Sequence, residues 1–188
     1  MKGWIDNILA RNPYKILVRV PDEFIKEQAQ DKEIQALSKH PQTALKLILQ
    51  KTNSTESTSV EEDTMALYGG IHARYIETDE GMAALLEKYK EQIFHRCPRV
   101  LCRCCLCLPY GVSTTPSEVH VQWYCPNCSD VYALDSDDTK KIDGSWFGPN
   151  YIRSFLNKYP GVIPTEPALA YEPRIFGFRL YASDKPKE

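Results

Sequence analysis

Seven cysteines lie between Cys97 and Cys128, and the chain holds no others. A secreted disulfide framework spreads an even set along the chain, so an odd and clustered set points to metal instead. Thiolates bind Zn²⁺ strongly, and four of them around a tetrahedral ion make a closed, structural centre. The best set is Cys97 and Cys102, then 22 residues, then Cys125 and Cys128. Cys125-Pro126-Asn127-Cys128 has the spacing of a zinc knuckle, because two residues between ligands let the backbone wrap one edge of the metal. The first half is open on spacing: Cys102/Cys105 and Cys104/Cys107 are also two-residue pairs, and spacing by itself favours either over Cys97/Cys102. The surplus thiols read as bystanders beside a metal site in preference to redox sensors.

A catalytic zinc would want three protein ligands, an open position and usually a histidine with a nearby glutamate. His40, His72, His95 and His120 sit in no such motif and read as structural or solvated. There is no glycine-rich phosphate loop, no Walker lysine, no kinase catalytic element and no nucleophile elbow. The expectation is a chain without catalytic residues. A zinc ribbon can instead bind nucleic acid, bind protein or dimerise. Residues 94–150 carry 5 basic against 6 acidic side chains, too few positive charges to neutralise a phosphate backbone. Protein contact is the better reading, because Val100, Val112, Val131 and Tyr132 are more apolar surface than a small ribbon buries by itself. A nucleic-acid-binding ribbon of the transcription-factor kind is the rival.

The remaining elements must position this centre. With 188 residues and 43% hydrophobic content the chain has enough apolar surface for a real core, and 23 basic against 25 acidic residues leave no polybasic field. No apolar run approaches a membrane span, and MKGWIDN lacks the features of a signal peptide, so the expected location is intracellular, in cytoplasm and nucleus, with no membrane partner. Residues 1–93 read as a helical domain. Pro21 and Asp22 open one helix, and Ala44, Leu47 and Ile48 share one face of another after Pro41. Residues 51–63 are rich in Ser and Thr and read as a flexible connector. Met65, Tyr68, Ile71, Tyr75 and Ile76 then stack on one face, and Met82, Leu85, Leu86 and Tyr89 follow at helical spacing behind a Thr78 cap, so two antiparallel helices are expected. Gly69 and Gly70 inside the first read as a site of close helix packing. Residues 94–150 are strand-like around the cysteines, with VHVQWY and VYAL flanking the second pair. Residues 151–188 are proline-rich and read as an arm laid over a surface. The fold class is therefore α+β: a mostly helical N-terminal domain, a small β-rich four-cysteine zinc ribbon and an extended C-terminal arm.

The blocks LYGGIHARYI (67–76), LLEKY (85–89), CPRVLC (97–102), WYCPNCSDVY (123–132) and PRIFGF (173–178) carry a resemblance. Through them the chain resembles the regulatory beta subunit of casein kinase II from about Trp4 to Tyr181. The resemblance implies a non-catalytic regulator that dimerises through a zinc ribbon. It further implies binding, stabilising and modulating two catalytic subunits per dimer, a heterotetramer in kinase signalling that also meets protein substrates or regulators. It assigns one structural Zn²⁺ to Cys97, Cys102, Cys125 and Cys128, which decides what spacing left open. The expected dimer contact is Pro98, Val100, Val112, Val131 and Tyr132. The docking aromatics of the family fall on the arm, where Ile175, Phe176, Gly177, Phe178 and Tyr181 are expected to enter an apolar groove of the kinase subunit. Phe176 and Phe178 would point the same way on an extended chain. The sequence departs from the family in a weakly acidic 51–63 loop, with Glu56, Glu61, Glu62 and Asp63 alone. It also lacks the N-terminal serine cluster, adds Cys104, Cys105 and Cys107, and ends its arm early at Glu188.

Overall fold

The computed structural model describes residues 3–50, 58–134 and 136–180. The helical part contains α1 (Trp4–Leu9), α2 (Asp22–Gln28), α3 (Lys32–Gln35), α4 (Pro41–Leu49), α5 (Thr58–Tyr75) and α6 (Asp79–Lys90). α2 and α4 begin where Pro21 and Pro41 predict, since proline's fixed φ suits a helix start and its missing N–H is not needed there. Thr78 caps α6 by accepting the Gly81 N–H at 3.1 Å, with Asp79 and Glu80 at the positive end of the helix dipole.

α5 is the central element. Its face of Met65, Tyr68, Ile71 and Tyr75 is buried, and it packs on α2, α3, α4 and the turn Gly144–Trp146. α6 is not among these close neighbours, so the expected antiparallel pair with α6 is not formed. The reason is visible in α5 itself: its small-residue surface is already taken. A Cβ added at Gly69 would lie 2.2 Å from the Trp146 ring, and one at Gly70 would lie 2.1 Å from the Leu37 side chain. The expectation of close packing at the glycines holds, with a tryptophan from the cysteine-rich part as one partner.

Leu17, Val18 and Val20, with the exposed Arg19 between them, are buried against α5 in a stretch that pairs with no strand among the described residues. Its backbone must find side-chain partners, because an unpaired buried amide costs a few kcal/mol. Tyr68 and His72, four residues apart on one face of α5, supply them. The Tyr68 hydroxyl donates to Val18 O at 2.8 Å and accepts Val20 N–H at 3.2 Å, while His72 Nε2 accepts Val18 N–H at 3.0 Å. With Nε2 an acceptor, the ring is neutral and Nδ1–H donates to Trp146 O at 2.8 Å.

Two boundaries differ from expectation. The connector 51–63 is helical from Thr58, and its earlier residues lie outside the described ones. Asp63 explains this: its carboxylate accepts Ser38 Oγ at 2.7 Å, Lys39 N–H at 2.6 Å and His40 N–H at 3.1 Å, tying the first turns of α5 to the start of α4. Nor is 151–188 an arm throughout. α7 (Tyr151–Lys158) buries Tyr151, Ile152 and Phe155, and the Tyr151 hydroxyl bonds the Pro109 carbonyl. The core-facing spacing of those three residues overrides the proline content, and the arm proper begins near Ile163.

The cysteine-rich part forms a three-stranded antiparallel sheet of β1 (Leu108–Tyr110), β2 (Gln122–Cys125) and β3 (Asp130–Tyr132), in that order, with Trp123 opposite Tyr132 and Leu108 opposite Tyr124. One buried cluster runs from Ile5 through α5, the sheet and Phe155 to Val162, so helices and sheet share a core. No helix among the described residues is long and apolar enough to cross a membrane.

Candidate metal centre and docking arm

The first cysteine loop runs from Cys97 to Cys102, ending in a 3₁₀ turn at Val100–Cys102 in which Cys102 N–H donates to Arg99 O at 2.9 Å. The second is the β2–β3 turn, where Ser129 N–H donates to Cys125 O at 2.9 Å. The two loops bring Cys97 Sγ to 3.8 Å from Cys128 Sγ and Cys102 Sγ to 3.4 Å from Cys125 Sγ. All four sulfurs lie within 4.8 Å of one another. A tetrahedral ion with metal–sulfur bonds of about 2.3 Å needs sulfur–sulfur edges of about 3.8 Å, so the set fits.

The donors around the sulfurs fit a metal too. Cys128 N–H points at Cys125 Sγ at 3.4 Å, and Asn127 Nδ2 donates to Cys102 O at 3.1 Å while lying 3.6 Å from Cys102 Sγ. Such N–H groups stabilise thiolates. Burial pushes the Cys97 and Cys125 thiols up, a direction that a divalent cation held by the sulfurs would oppose. Burial acts upward on Cys128 as well, but Tyr132, Cys102 and Arg99 outweigh it and bring that thiol down to about 7. Asn127 is a supporting residue that cysteine counting missed, although its place between two ligands was in plain view.

The surplus thiols do not join this set. Cys104 is exposed, whereas Cys105 and Cys107 are buried, and burial carries the Cys107 thiol up to about 12. His72 is structural, as anticipated, and His95 stacks edge-on against Trp123 at 4.5 Å between ring centroids.

Of the expected self-contact residues, Pro98 and Val100 stand on the first cysteine loop, and Val100 is 93% exposed. Val112 is exposed after β1, while Val131 and Tyr132 are half-buried on β3, an edge strand. Pro98, Val100, Val131 and Tyr132 lie on the loop and strand next to the cysteine cluster, and Val112 lies at the far end of the sheet.

The arm returns to the same loop. Leu169 N–H donates to Leu101 O at 2.9 Å, Arg99 Nη2 donates to Leu169 O at 3.2 Å, and Arg103 pairs with Glu166. Beyond this clasp, β4 (Arg174–Ile175) and β5 (Phe178–Arg179) form a hairpin with Ile175 opposite Phe178. Its two-residue turn is Phe176–Gly177, with φ of 46° and 84°, both left-handed. Gly177 adopts this freely and Phe176 does not, so the turn holds strain at a ring that is 96% exposed. The expectation that Phe176 and Phe178 share a side by strand alternation is therefore wrong, because Phe176 belongs to the turn. Ile175 and Phe178 share a face as a cross-strand pair, and both are exposed. Tyr181 lies outside the described residues.

A cavity of about 1020 Å³ lies between α5 and the 114–150 segment, with Glu62, Glu77, Lys141 and Trp146 among its lining.

Comparison with known proteins follows the same residues. The family model described as casein kinase II regulatory subunit matches residues 3–179. Casein kinase II subunit beta' of Saccharomyces cerevisiae is 36% identical over 186 residues, covering 95% of this chain and 72% of the relative. Casein kinase II subunit beta of Schizosaccharomyces pombe is 34% identical over 183 residues, covering 95% and 79%. A putative casein kinase II subunit beta-4 of Arabidopsis thaliana is 47% identical over 122 residues, which is 65% of this chain and 43% of that relative. A match that takes in the helices, the cysteine cluster and the hairpin together leaves no part of the fold unaccounted for, and the chain belongs to the casein kinase II regulatory subunit family.

Proposed function

We propose that the chain is a non-catalytic subunit that dimerises through a Zn²⁺-bearing ribbon and presents its C-terminal hairpin to the catalytic subunit of a casein kinase II-like serine/threonine kinase. Two kinase subunits would be held by one dimer, stabilised and modulated in their choice of substrate, in cytoplasm and nucleus. The observation that carries this reading is the hairpin: Ile175, Phe176 and Phe178 are 53%, 96% and 79% exposed, on an element that follows the clasp to the ribbon. Aromatic anchors of this kind, desolvated in a partner's pocket, carry the greater part of an interface's binding energy. Phe178→Ala is expected to weaken binding by about 2 kcal/mol, some thirtyfold. Calorimetric titration of purified catalytic subunit against wild type and the Phe176→Ala, Phe178→Ala double variant tests it, and equal affinities would remove the hairpin from the interface. Zinc is the expected metal because four thiolates in a tetrahedral set are its usual structural environment.

The self-contact rests on Pro98, Val100, Val112, Val131 and Tyr132, since a twofold axis lets one patch cover its own copy. Val100 touches little of its own chain, so Val100→Asp should leave the fold intact and yield monomers. Sedimentation velocity at micromolar concentration reads this directly: a zinc-replete wild-type monomer is incompatible with the proposal. The nucleic-acid alternative is disfavoured by 5 basic against 6 acidic residues over 94–150, and retention on heparin at physiological salt is the result that would revive it.

A further inference from the structure

The first cysteine loop does not end at Cys102. Arg103 and Cys104 both take left-handed backbone, with φ of 58° at each, and this two-residue reversal sends the chain back beside its own entry into the loop. Leu106 then bridges Arg96 in antiparallel fashion, with Cys97 N–H donating to Cys105 O at 2.8 Å and Cys107 N–H donating to His95 O at 2.8 Å. In this register Cys105 stands directly opposite Cys97. Side chains that face each other across an antiparallel pair lie on the same side with Cβ atoms about 5 Å apart. Cys105 is also 8% exposed, and its sulfur lies 3.5 Å from Leu106 O and meets the Asn127 backbone and the Cys125 side chain. The groups around it include Cys125, Cys102, Cys128 and the backbone of Asn127, all members of the metal pocket. Cys107, two residues or about 7 Å further along the ladder, is opposite His95 and only diagonal to Cys97.

We propose that Cys105 is a fifth thiol of the metal centre, a reserve ligand able to take the coordination position of Cys97. The exchange needs side-chain rotation and no opening of the fold. The Cys105 thiol gives up its proton to solvent as its sulfur bonds the metal; the Cys97 sulfur leaves and takes a proton, so charge and electron count are unchanged. This rests on the reading that the four-cysteine set holds zinc.

The test uses the full chain as wild type, Cys97→Ala, Cys105→Ala, the Cys97→Ala, Cys105→Ala double variant and Cys125→Ala. Zinc content is measured by elemental analysis, and the number of thiolate ligands by the sulfur-to-metal charge-transfer band after Co²⁺ replacement. Cys97→Ala is expected to keep one zinc and a four-thiolate band, whereas the double variant falls to a three-thiolate band and loses metal to a chelator at least tenfold faster. Identical behaviour of Cys97→Ala and the double variant would overturn the proposal. If Cys97→Ala does not fold, Cys105→Ala decides: its zinc should pass to a chelator severalfold faster than that of wild type, and an unchanged rate overturns the reserve role. A wild type without zinc overturns the metal reading itself and this inference with it, while a zinc-loaded wild type whose Cys97→Ala variant is as empty as Cys125→Ala overturns this inference alone.

Discussion

Replacing Cys125 with serine should abolish metal binding and unfold the β1–β3 part of the chain. Cys125 lies at the end of β2, its sulfur is 3.4 Å from that of Cys102, and Cys128 N–H is aimed at it. Structural zinc contributes on the order of 10 kcal/mol of apparent folding free energy, more than the whole stability of many domains. The loss should spread, because Trp123 and Leu108 of the sheet and Tyr68 and Ile71 of α5 belong to one core. Elemental analysis with circular dichroism of Cys125→Ser is the check. A folded variant with one zinc would show that the four-cysteine set is not the metal site.

Acid should destabilise the chain through His72 well before the carboxylates titrate. Burial holds this imidazole down at about 4, against an ordinary value near 6.5, although the Trp146 carbonyl acts in the other direction. The neutral ring is the folded form, so its contribution is complete above about pH 6.5. It declines as the unfolded chain takes up a proton below that pH, and is gone once pH falls through about 4. The full loss is about 3 kcal/mol, of which about 2 kcal/mol falls between pH 7 and pH 5. Asp31 and Asp63 are held below their ordinary values by their partners and so act at lower pH. His95 is lowered too, by burial, and acts in the same direction. If the four cysteines hold zinc, protonation of their thiolates would add a further acid-dependent loss. Denaturant titrations of wild type and His72→Gln at each pH cancel these shared contributions. A glutamine can donate to Trp146 O and accept from Val18 N–H without titrating, so equal pH slopes in the two proteins would remove His72 as the source.

The residues whose roles follow from local spacing were readable in the chain. Cys125 and Cys128 are such residues, as are Pro21, Pro41, Thr78 and the buried stripes of α5 and α6. The failures have a common physical cause, namely that distant partners decide the outcome. Thr58 to Asp63 look like a polar connector until Asp63 is seen holding Ser38, Lys39 and His40. α7 was hidden by the prolines around it, although Tyr151, Ile152 and Phe155 already had the spacing of a buried face. α5 and α6 were matched as a pair on pattern alone, whereas Trp146, some 70 residues away, fills the groove at Gly69. Nothing local in Phe176 announces left-handed backbone, and the same is true of Arg103 and Cys104. The cysteine assignment needed more than spacing for a related reason: only the chain reversal after Cys102 shows which thiols converge.

The clasp between Leu169 and Leu101 also fixes how far the hairpin can travel. Arg174 is five residue steps on from Leu169, which at about 3.5 Å per step is a leash of roughly 17 Å when fully drawn out. While the clasp is closed, a protein that grips Phe176 and Phe178 would come to rest near the ribbon, within that length plus the hairpin's own reach from Leu101. Larger bodies cannot be held at arm's length while the clasp is closed. In a pair of ribbons related by a twofold axis, two such leashes would start from fixed points, and the spacing between two bound proteins would then depend on Glu166, Leu169 and the loop that holds them.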